Sequence, residues 1–326
     1  MSRAGYRGSG WPEMPVDRNP GAVGRIPPAP SADPPALRLR GLVTLGVWEA
    51  CRRLPERAAF AGADLAGRLA YLAAPGTRRR VADNLAVLDG AARPGLVRSA
   101  FRSYARYWVE AFRAADLDPT DLDRRTSTEG FAHLDAVLEQ GRGAIVLLAH
   151  HGSWDVAARW AETHGYHLAV VAEVLRPQAV FRRFVALREA IGLEVVPLRR
   201  GGGLVTRLGD VLAANHLVGL LTDRDLTGTA PRVTLFGAPT RIPTGAAVLA
   251  RRTGAPIVPI TMLQRPGRRW HLTVLPAIDP AGADVAALHA ATCRALEELI
   301  LLDPAQWHAF QPVFTPPSDP DGRQHR

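Results

Sequence analysis

The stretch 144-AIVLLAHHGSWDVAARW-160 joins a short apolar run to a helical pattern of residues. An uninterrupted apolar run of this length is typical of a β-strand that is buried on both faces. Ser153 stands where a helix N-cap residue is expected, and Gly165 stands where such a helix would end. The stretch therefore predicts a strand followed directly by a helix, with His150 at the carboxyl end of the strand.

The same alternation of apolar runs and helical patterns continues from about residue 125 to residue 300. Strands are predicted at 144–149, 167–172, 193–198, 216–222, 232–237, 255–263 and 270–276. Helices are predicted at 153–164, 177–191, 203–214, 243–253 and 283–300. This order predicts an α/β fold with a central, mostly parallel but mixed sheet flanked by helices. Sites in such sheets form at the carboxyl ends of the strands.

The first third of the chain has a different pattern. Residues 1–36 are rich in proline and glycine and predict a disordered tail. Residues 37–118 predict a helical region with breaks at Pro55 and at Pro75, which precedes the α/β core at 119–326 in a single domain. One helix in this region carries an aromatic stripe that is expected to face the core or, alternatively, to line a lipid-facing groove. Its residues are Val97, Phe101, Tyr104, Trp108 and Phe112.

The composition limits the classes of partner. The chain has 326 residues, 47% of them hydrophobic, and a formal net charge of +9 that comes entirely from arginine, since the sequence contains no lysine. Arginine binds phosphate groups in a bidentate manner, so we expect a phosphorylated substrate, an anionic membrane surface or nucleic acid. The two cysteines, Cys51 and Cys293, form no disulfide framework or zinc motif and indicate a reducing cytoplasm. The apolar stretch 42–51 is about half of the ~20 residues that a membrane-spanning helix needs, so membrane contact would be peripheral.

The residues at 150–155 have the chemistry of an acid–base site. A turn at Gly152 would allow His150 to fold back over the first helical turn, where Asp155 can hydrogen-bond one ring nitrogen and leave the other to accept a proton. His151 competes for this role, because it stands four residues before Asp155. A capped helix with incidental histidines explains the residues alone equally well.

A family resemblance favours the catalytic interpretation. The motif 150-HHGSWD-155 resembles the H-x-x-x-x-D/E motif of the lysophospholipid acyltransferase superfamily, and its G-x-W resembles the lipid A lauroyl acyltransferase branch. Segments at 77–88, 103–113, 171–198, 220–260 and 307–314 extend the resemblance, in order, over about residues 40–315. Among the branches, these segments are most similar to the actinobacterial phosphatidylinositol mannoside acyltransferases.

The resemblance implies roles for individual residues. It makes His150 the general base and Asp155 the acid that orients it, and it gives His151 no chemical role. It also makes Asp223 a third catalytic candidate, in the segment 222-TDRDLTG-228.

Six further residues are expected to bind substrate. The resemblance implies Glu173 in the acceptor pocket, Arg176 at a phosphate and Arg188 near the acyl donor. Arg224 can contact phosphate. Thr244 stands at a predicted helix start, which favours anions, and Arg241 stands just before it. The six expected substrate-binding residues are therefore Glu173, Arg176, Arg188, Arg224, Arg241 and Thr244.

The predicted activity is transfer of a long-chain acyl group from acyl-CoA to a sugar hydroxyl of a membrane glycolipid, a mannose of phosphatidylinositol mannoside. It needs no metal or bound cofactor, and the expected partners are acyl-CoA, the glycolipid acceptor and the anionic cytoplasmic face of the cell membrane, with no nucleic acid. One alternative is a lauroyl-type acyltransferase that acts on another glycolipid or a lysophospholipid. Two others are a metal-dependent hydrolase that uses His150, His151 and Asp155, and a non-catalytic basic protein that binds nucleic acid or anionic membranes.

Overall fold

The computed structural model describes residues 34–89, 93–172, 177–197, 203–225 and 228–314. The predicted tail falls mostly outside these residues, and the first helix begins at Pro35. The helical region that follows is confirmed, with breaks at the expected prolines. Its four helices are α1 (Pro35–Arg53), α2 (Glu56–Ala73), α3 (Pro75–Asp89) and α4 (Pro94–Arg113).

Helix α4 is the centre of this helical region. It packs against α1, α2 and α3. The contact with α2 is very close at Gly67, where a Cβ atom would lie 2.8 Å from the backbone oxygen of Phe101. Any larger residue at this position would push the two helices apart, so Gly67 sets the position of α4 relative to α2.

The α/β core is confirmed as a mixed, mostly parallel sheet of seven strands in the order β1-β9-β8-β2-β5-β3-β4. Strands β8, β2, β5, β3 and β4 are parallel, while β9 runs antiparallel to β8 and pairs in parallel with β1. The seven strands are β1 (Thr126–Glu129), β2 (Ala144–Leu148), β3 (Leu168–Ala172), β4 (Glu194–Pro197), β5 (Leu217–Leu221), β8 (Ile257–Arg265) and β9 (Arg269–Val274). A separate hairpin consists of β6 (Arg232–Leu235) and β7 (Ala238–Arg241).

Helices cover both faces of the sheet. Strand β2 shows this arrangement directly, because Ile145 and Leu147 belong to one apolar core while Val146 and Leu148 belong to the other. The remaining helices are α5 (Pro119–Arg125), α6 (Ala132–Leu138), α7 (Trp154–Thr163), α8 (Gln178–Ala190), α9 (Leu204–Ala213), α10 (Gly245–Thr253) and α11 (Val285–Leu301). Two short 3-10 helices lie at Ala114–Asp116 and Pro304–Gln306.

The segment 307–314 folds back across the carboxyl end of β2, and we refer to it as the C-terminal strap. The backbone N–H of His308 donates to the carbonyl of His150 at 2.7 Å. The amide of Asn84, on α3, donates to the carbonyls of Ala309 and Gln311 and accepts from the N–H of Val313. The strap therefore joins the helical region to the end of the sheet.

No helix within the described ranges is long and apolar enough to cross a membrane.

Candidate active site

The pairing of two neighbouring parallel strands brings His150 and Asp223 together. Leu148, at the end of β2, pairs with Leu221, at the end of β5, and each of the two polar residues follows its strand end by two positions. The Nδ1 atom of His150 and the Oδ1 atom of Asp223 lie 2.7 Å apart. The carboxylate thereby holds the imidazole in one orientation, and Nε2 is the nitrogen left for a substrate proton.

The carboxylate of Asp223 is buried and has two hydrogen-bond partners. Its second oxygen accepts from the indole N–H of Trp307, on the C-terminal strap, at 3.0 Å. Burial by itself raises the pKa of Asp223, but the charge of His150 and the hydrogen bonds from His150 and Trp307 outweigh it and hold the pKa well below its usual value. Asp223 is therefore ionised beside the imidazole at neutral pH.

The prediction that Asp155 hydrogen-bonds the ring of His150 is wrong. Asp155 lies in the first turn of α7, where its carboxylate accepts from the hydroxyl of Tyr107 at 2.9 Å and from Nε of Arg188 at 3.0 Å. Sequence spacing reflects only the local chain, whereas the parallel register of β2 and β5 brings the carboxylate of Asp223 to His150. Asp155 instead connects α7 to α4 through the hydrogen bond from Tyr107 and to α8 through an ion pair with Arg188.

The turn between His150 and α7 forms as expected, since Gly152 has a φ of 66°. A side chain at this position would collide with the carbonyl of Met262, at 2.1 Å from a Cβ atom. Ser153 occupies the N-cap position, but its hydroxyl donates to the carboxylate of Glu110 on α4. The buried carboxylate of Glu110, which the sequence did not single out, therefore holds the turn in place.

His151 has a structural position. Its Nδ1 atom lies 3.0 Å from the hydroxyl of Thr261, and its Nε2 atom lies 2.9 Å from the carbonyl of Asp303. Burial lowers the pKa of His151 to about 4, so the ring is neutral at physiological pH. With both nitrogens occupied, His151 ties strand β8 to the segment that leads into the C-terminal strap.

Two cavities meet at His150. The larger, of about 340 Å³, is bounded by the C-terminal strap and by charged side chains that include Asp223, Arg224 and Arg241. We refer to it as the polar cavity. The smaller, of about 210 Å³, is lined by rings from α4, α7 and α8, and we refer to it as the aromatic cavity. The rings that line it are Tyr104, Tyr107, Trp108, Trp154, Phe181 and Phe184.

The aromatic stripe of α4 divides between the core and the aromatic cavity. Val97, Phe101 and Phe112 are buried in the core. Tyr104 and Trp108 line the cavity, so the core-facing expectation holds for only part of the stripe.

The predicted substrate-binding residues are only partly brought together. Arg188 lines the aromatic cavity, Arg241 lines the polar cavity, and Arg224 lines both. Thr244 lies at the N-cap of α10 and lines neither of these two cavities. Glu173 and Arg176 fall outside the described residues.

His308 is a site residue that sequence reasoning did not single out, although it lies in a segment that carries the resemblance. Its ring packs beside Tyr107 and Trp154, and its Nε2 atom lies 3.1 Å from the hydroxyl of Ser103. Burial and the neighbouring His151 and His150 hold its pKa well below the usual value. It lines both cavities as a neutral ring.

The hydrolase alternative needs His150, His151 and Asp155 around one metal ion. Each of the three instead has its own protein partners, as described above. In the described part of the chain, His, Cys, Asp and Glu side chains form no group of three or more that could hold a metal ion.

Known proteins resemble this chain over most of its length. The model of the bacterial lipid A biosynthesis acyltransferase family matches residues 35–315. A phosphatidylinositol mannoside acyltransferase of Mycobacterium tuberculosis is 40% identical over 275 residues, which cover 82% of this chain and 86% of that protein. The protein of the same name from Mycolicibacterium smegmatis is 36% identical over 274 residues, which cover 82% and 88% of the two chains. The chain belongs to the bacterial lipid A biosynthesis acyltransferase family.

Proposed function

We propose that this protein transfers a long-chain acyl group from acyl-CoA to a mannose hydroxyl of a phosphatidylinositol mannoside, with His150 as the general base. The observation that carries the proposal is the position of His150, which is held by Asp223 where the polar and aromatic cavities meet. Family membership supports acyl transfer, and the names of the relatives support the acceptor.

The two cavities suit the two substrates. The rings of the aromatic cavity provide an apolar surface for an acyl chain, whereas Arg241 provides charge for a phosphorylated headgroup in the polar cavity. With the substrates placed in this way, the thioester carbonyl and the acceptor hydroxyl meet beside His150.

The reaction is a direct transfer with His150 as the proton carrier. Nε2 of His150 accepts the proton of the sugar hydroxyl as the oxygen attacks the thioester carbon, and Asp223 stabilises the imidazolium that forms. A new C–O bond forms, the C–S bond then breaks, and the proton passes from His150 to the departing sulfur of coenzyme A. The products are an ester and free coenzyme A, and the proposed transfer uses no metal or bound cofactor.

Asp155 keeps a place in this proposal as a positioning residue. Its ion pair with Arg188 and its hydrogen bond from Tyr107 join three helices around the aromatic cavity. The pair fixes the cavity wall and does not orient the imidazole.

The proposal also places the protein on the cytoplasmic face of the membrane as a peripheral protein. Helices α1 and α2 expose apolar side chains, with Leu42 67% and Leu69 55% exposed. Exposed apolar residues on helices that also carry arginine are typical of interfacial membrane attachment. The acyl chain and the glycolipid would reach the site from that surface.

The test is a transfer assay with the purified full-length chain, acyl-CoAs of several chain lengths and phosphatidylinositol mannosides, followed by mass spectrometry of the lipids. The wild type is expected to add one acyl group and release one equivalent of free thiol. His150→Ala should lose about 10²–10⁴-fold in rate, the range that a general base contributes. Acylation of only a lysophospholipid or another glycolipid would overturn the acceptor, and dependence on a divalent ion would overturn the metal-free mechanism.

A further inference from the structure

Among the described residues, one permanent cation lines both cavities. The residues that line both cavities are His150, Arg224 and His308. His308 is neutral because burial and the neighbouring histidines depress its pKa, whereas a guanidinium stays charged at any physiological pH. Arg224 follows Asp223 directly in the chain, so the end of β5 supplies both the partner of the base and the cation beside it.

Arg224 differs from Arg188 and Arg241, the other described arginines that line the cavities, in having a buried donor without a hydrogen-bond partner. Arg188 is engaged with Asp155, and Arg241 donates to the carbonyl of Ala230 at 2.6 Å. The Nε atom of Arg224 is buried and has no hydrogen-bond partner among the described residues. A buried, charged N–H group without a partner is costly, so an acceptor oxygen is expected beside it in the working complex.

We propose that Arg224 is a catalytic residue that stabilises the oxyanion formed on the thioester carbonyl. This inference rests on the proposed function, which places the reacting carbonyl where the cavities meet. When the acceptor oxygen adds to the carbonyl carbon, the carbonyl oxygen becomes negatively charged. The guanidinium of Arg224 donates to that oxygen until the C–S bond breaks and the carbonyl re-forms.

A role in the transition state differs measurably from a role in binding a phosphate. An oxyanion contact strengthens as charge develops, so its loss lowers kcat and leaves KM nearly unchanged. A phosphate contact is present before reaction, so its loss raises KM for the substrate that carries the phosphate. Lysine at this position keeps the charge but loses the planar donor pair, and it should therefore retain part of the rate.

The first test measures kcat and KM for both substrates in full-length Arg224→Gln and Arg224→Lys. Arg251→Gln removes an exposed arginine near the end of α10 and serves as the matched control. Arg224→Gln should lower kcat about 10²–10³-fold, as the loss of one oxyanion donor does in other enzymes. A rise in KM with kcat preserved would overturn the inference and make Arg224 a phosphate ligand.

The second test does not need turnover. In an acyl-CoA analogue with a methylene group in place of the thioester sulfur and a ¹³C-labelled carbonyl, a donor that polarises the carbonyl lowers its infrared stretching frequency. Binding to the wild type should lower this frequency, and Arg224→Gln should return it towards the unbound value with little change in affinity.

The spectra separate two kinds of failure. An equal shift in Arg224→Gln and the wild type, or no shift in the wild type, would overturn the role of Arg224. If the frequency shift depends on Arg224 but the wild type transfers no acyl group to phosphatidylinositol mannosides, the proposed acceptor is overturned. Arg224 would then still be the residue that donates a hydrogen bond to the carbonyl. Thermal unfolding of each variant checks that the fold is intact.

Discussion

The Nδ1 atom of His150 lies 2.7 Å from Oδ1 of Asp223, and this contact joins the ends of strands β2 and β5. The two strands are parallel neighbours, and both residues lie two positions past a matched pair of strand residues. The orientation of the base therefore depends on the register of the sheet. Asp223 orients His150, while the acid of the H-x-x-x-x-D motif performs another task.

Asp223→Asn is expected to remove most of the transfer activity and preserve the fold. The amide has nearly the same shape, but it lacks the negative charge that stabilises the imidazolium, so kcat should fall by about 10²–10⁴-fold. Steady-state kinetics with each substrate in turn would measure this loss. Asp155→Asn is the matched comparison, and a larger loss of kcat there than in Asp223→Asn would contradict the assignment of the two acids.

Asp155→Ala should destabilise the protein by about 3–5 kcal/mol, because it leaves the guanidinium of Arg188 without its ion-pair partner at a largely buried position. Chemical denaturation followed by circular dichroism would measure the free energy of unfolding. Glu194→Ala breaks an exposed ion pair with Arg207 and should cost at most about 1 kcal/mol. Equal losses in the two variants would show that the Asp155 pair has no special structural importance.

The sequence predicted the architecture more fully than it predicted the site. Long apolar runs and helical periodicity identified the central strands and helices α7 to α11, because burial on both faces leaves a clear pattern. The short helices α5 and α6 were not predicted. Strand β1 was missed because 126-TSTE-129 is polar and mostly exposed.

The partner of His150 could not be read from local spacing. Asp223 is 73 residues away in the chain, and the contact requires the order and register of the strands. Asp223 was a catalytic candidate because the resemblance identified its segment, but the resemblance did not say which side chain it contacts. Both the short spacing and the H-x-x-x-x-D motif favoured Asp155 as the partner of His150, and that assignment is wrong.

The two adjacent histidines should respond differently to replacement by alanine. His150→Ala should lose activity and keep its stability, since this ring lines the cavities and makes one protein hydrogen bond. His151→Ala should lose about 2–4 kcal/mol of stability, because it removes a buried ring and two hydrogen bonds, while the folded fraction stays active. Activity per folded molecule, with thermal unfolding of both variants, separates these effects. Full loss of activity in stably folded His151→Ala would give that ring a chemical role.

Glu110 should make the stability depend on pH. Burial raises its pKa to about 7, even though hydrogen bonds from Ser153, Trp270 and Gln264 act in the opposite direction. In the unfolded chain this carboxyl releases its proton near its ordinary value of 4.5, so the folded state binds more protons between these two values. Its contribution to stability is present below pH 4.5 and is lost as the pH rises through about 7.

The measurement is the free energy of unfolding of the wild type and Glu110→Gln between pH 4.5 and pH 8. Relative to the variant, the wild type should lose roughly 3 kcal/mol across this range. Glu298→Gln, an exposed position on α11, is the control for removing a carboxyl group. Parallel curves for the wild type and Glu110→Gln would show that Glu110 is ionised throughout.

Membrane attachment should depend on the apolar side chains of α1 and α2. Burial of a leucine side chain is worth about 1.5–3 kcal/mol, so each exposed leucine that enters the lipid should change partitioning about tenfold or more. Leu42→Glu and Leu69→Glu together should therefore nearly abolish binding to vesicles in a flotation assay. Leu301→Glu is the matched control, because Leu301 is 53% exposed but lies at the end of α11. If the Leu301 variant loses binding as strongly as the double variant, added negative charge explains the loss and α1 and α2 are not the attachment surface.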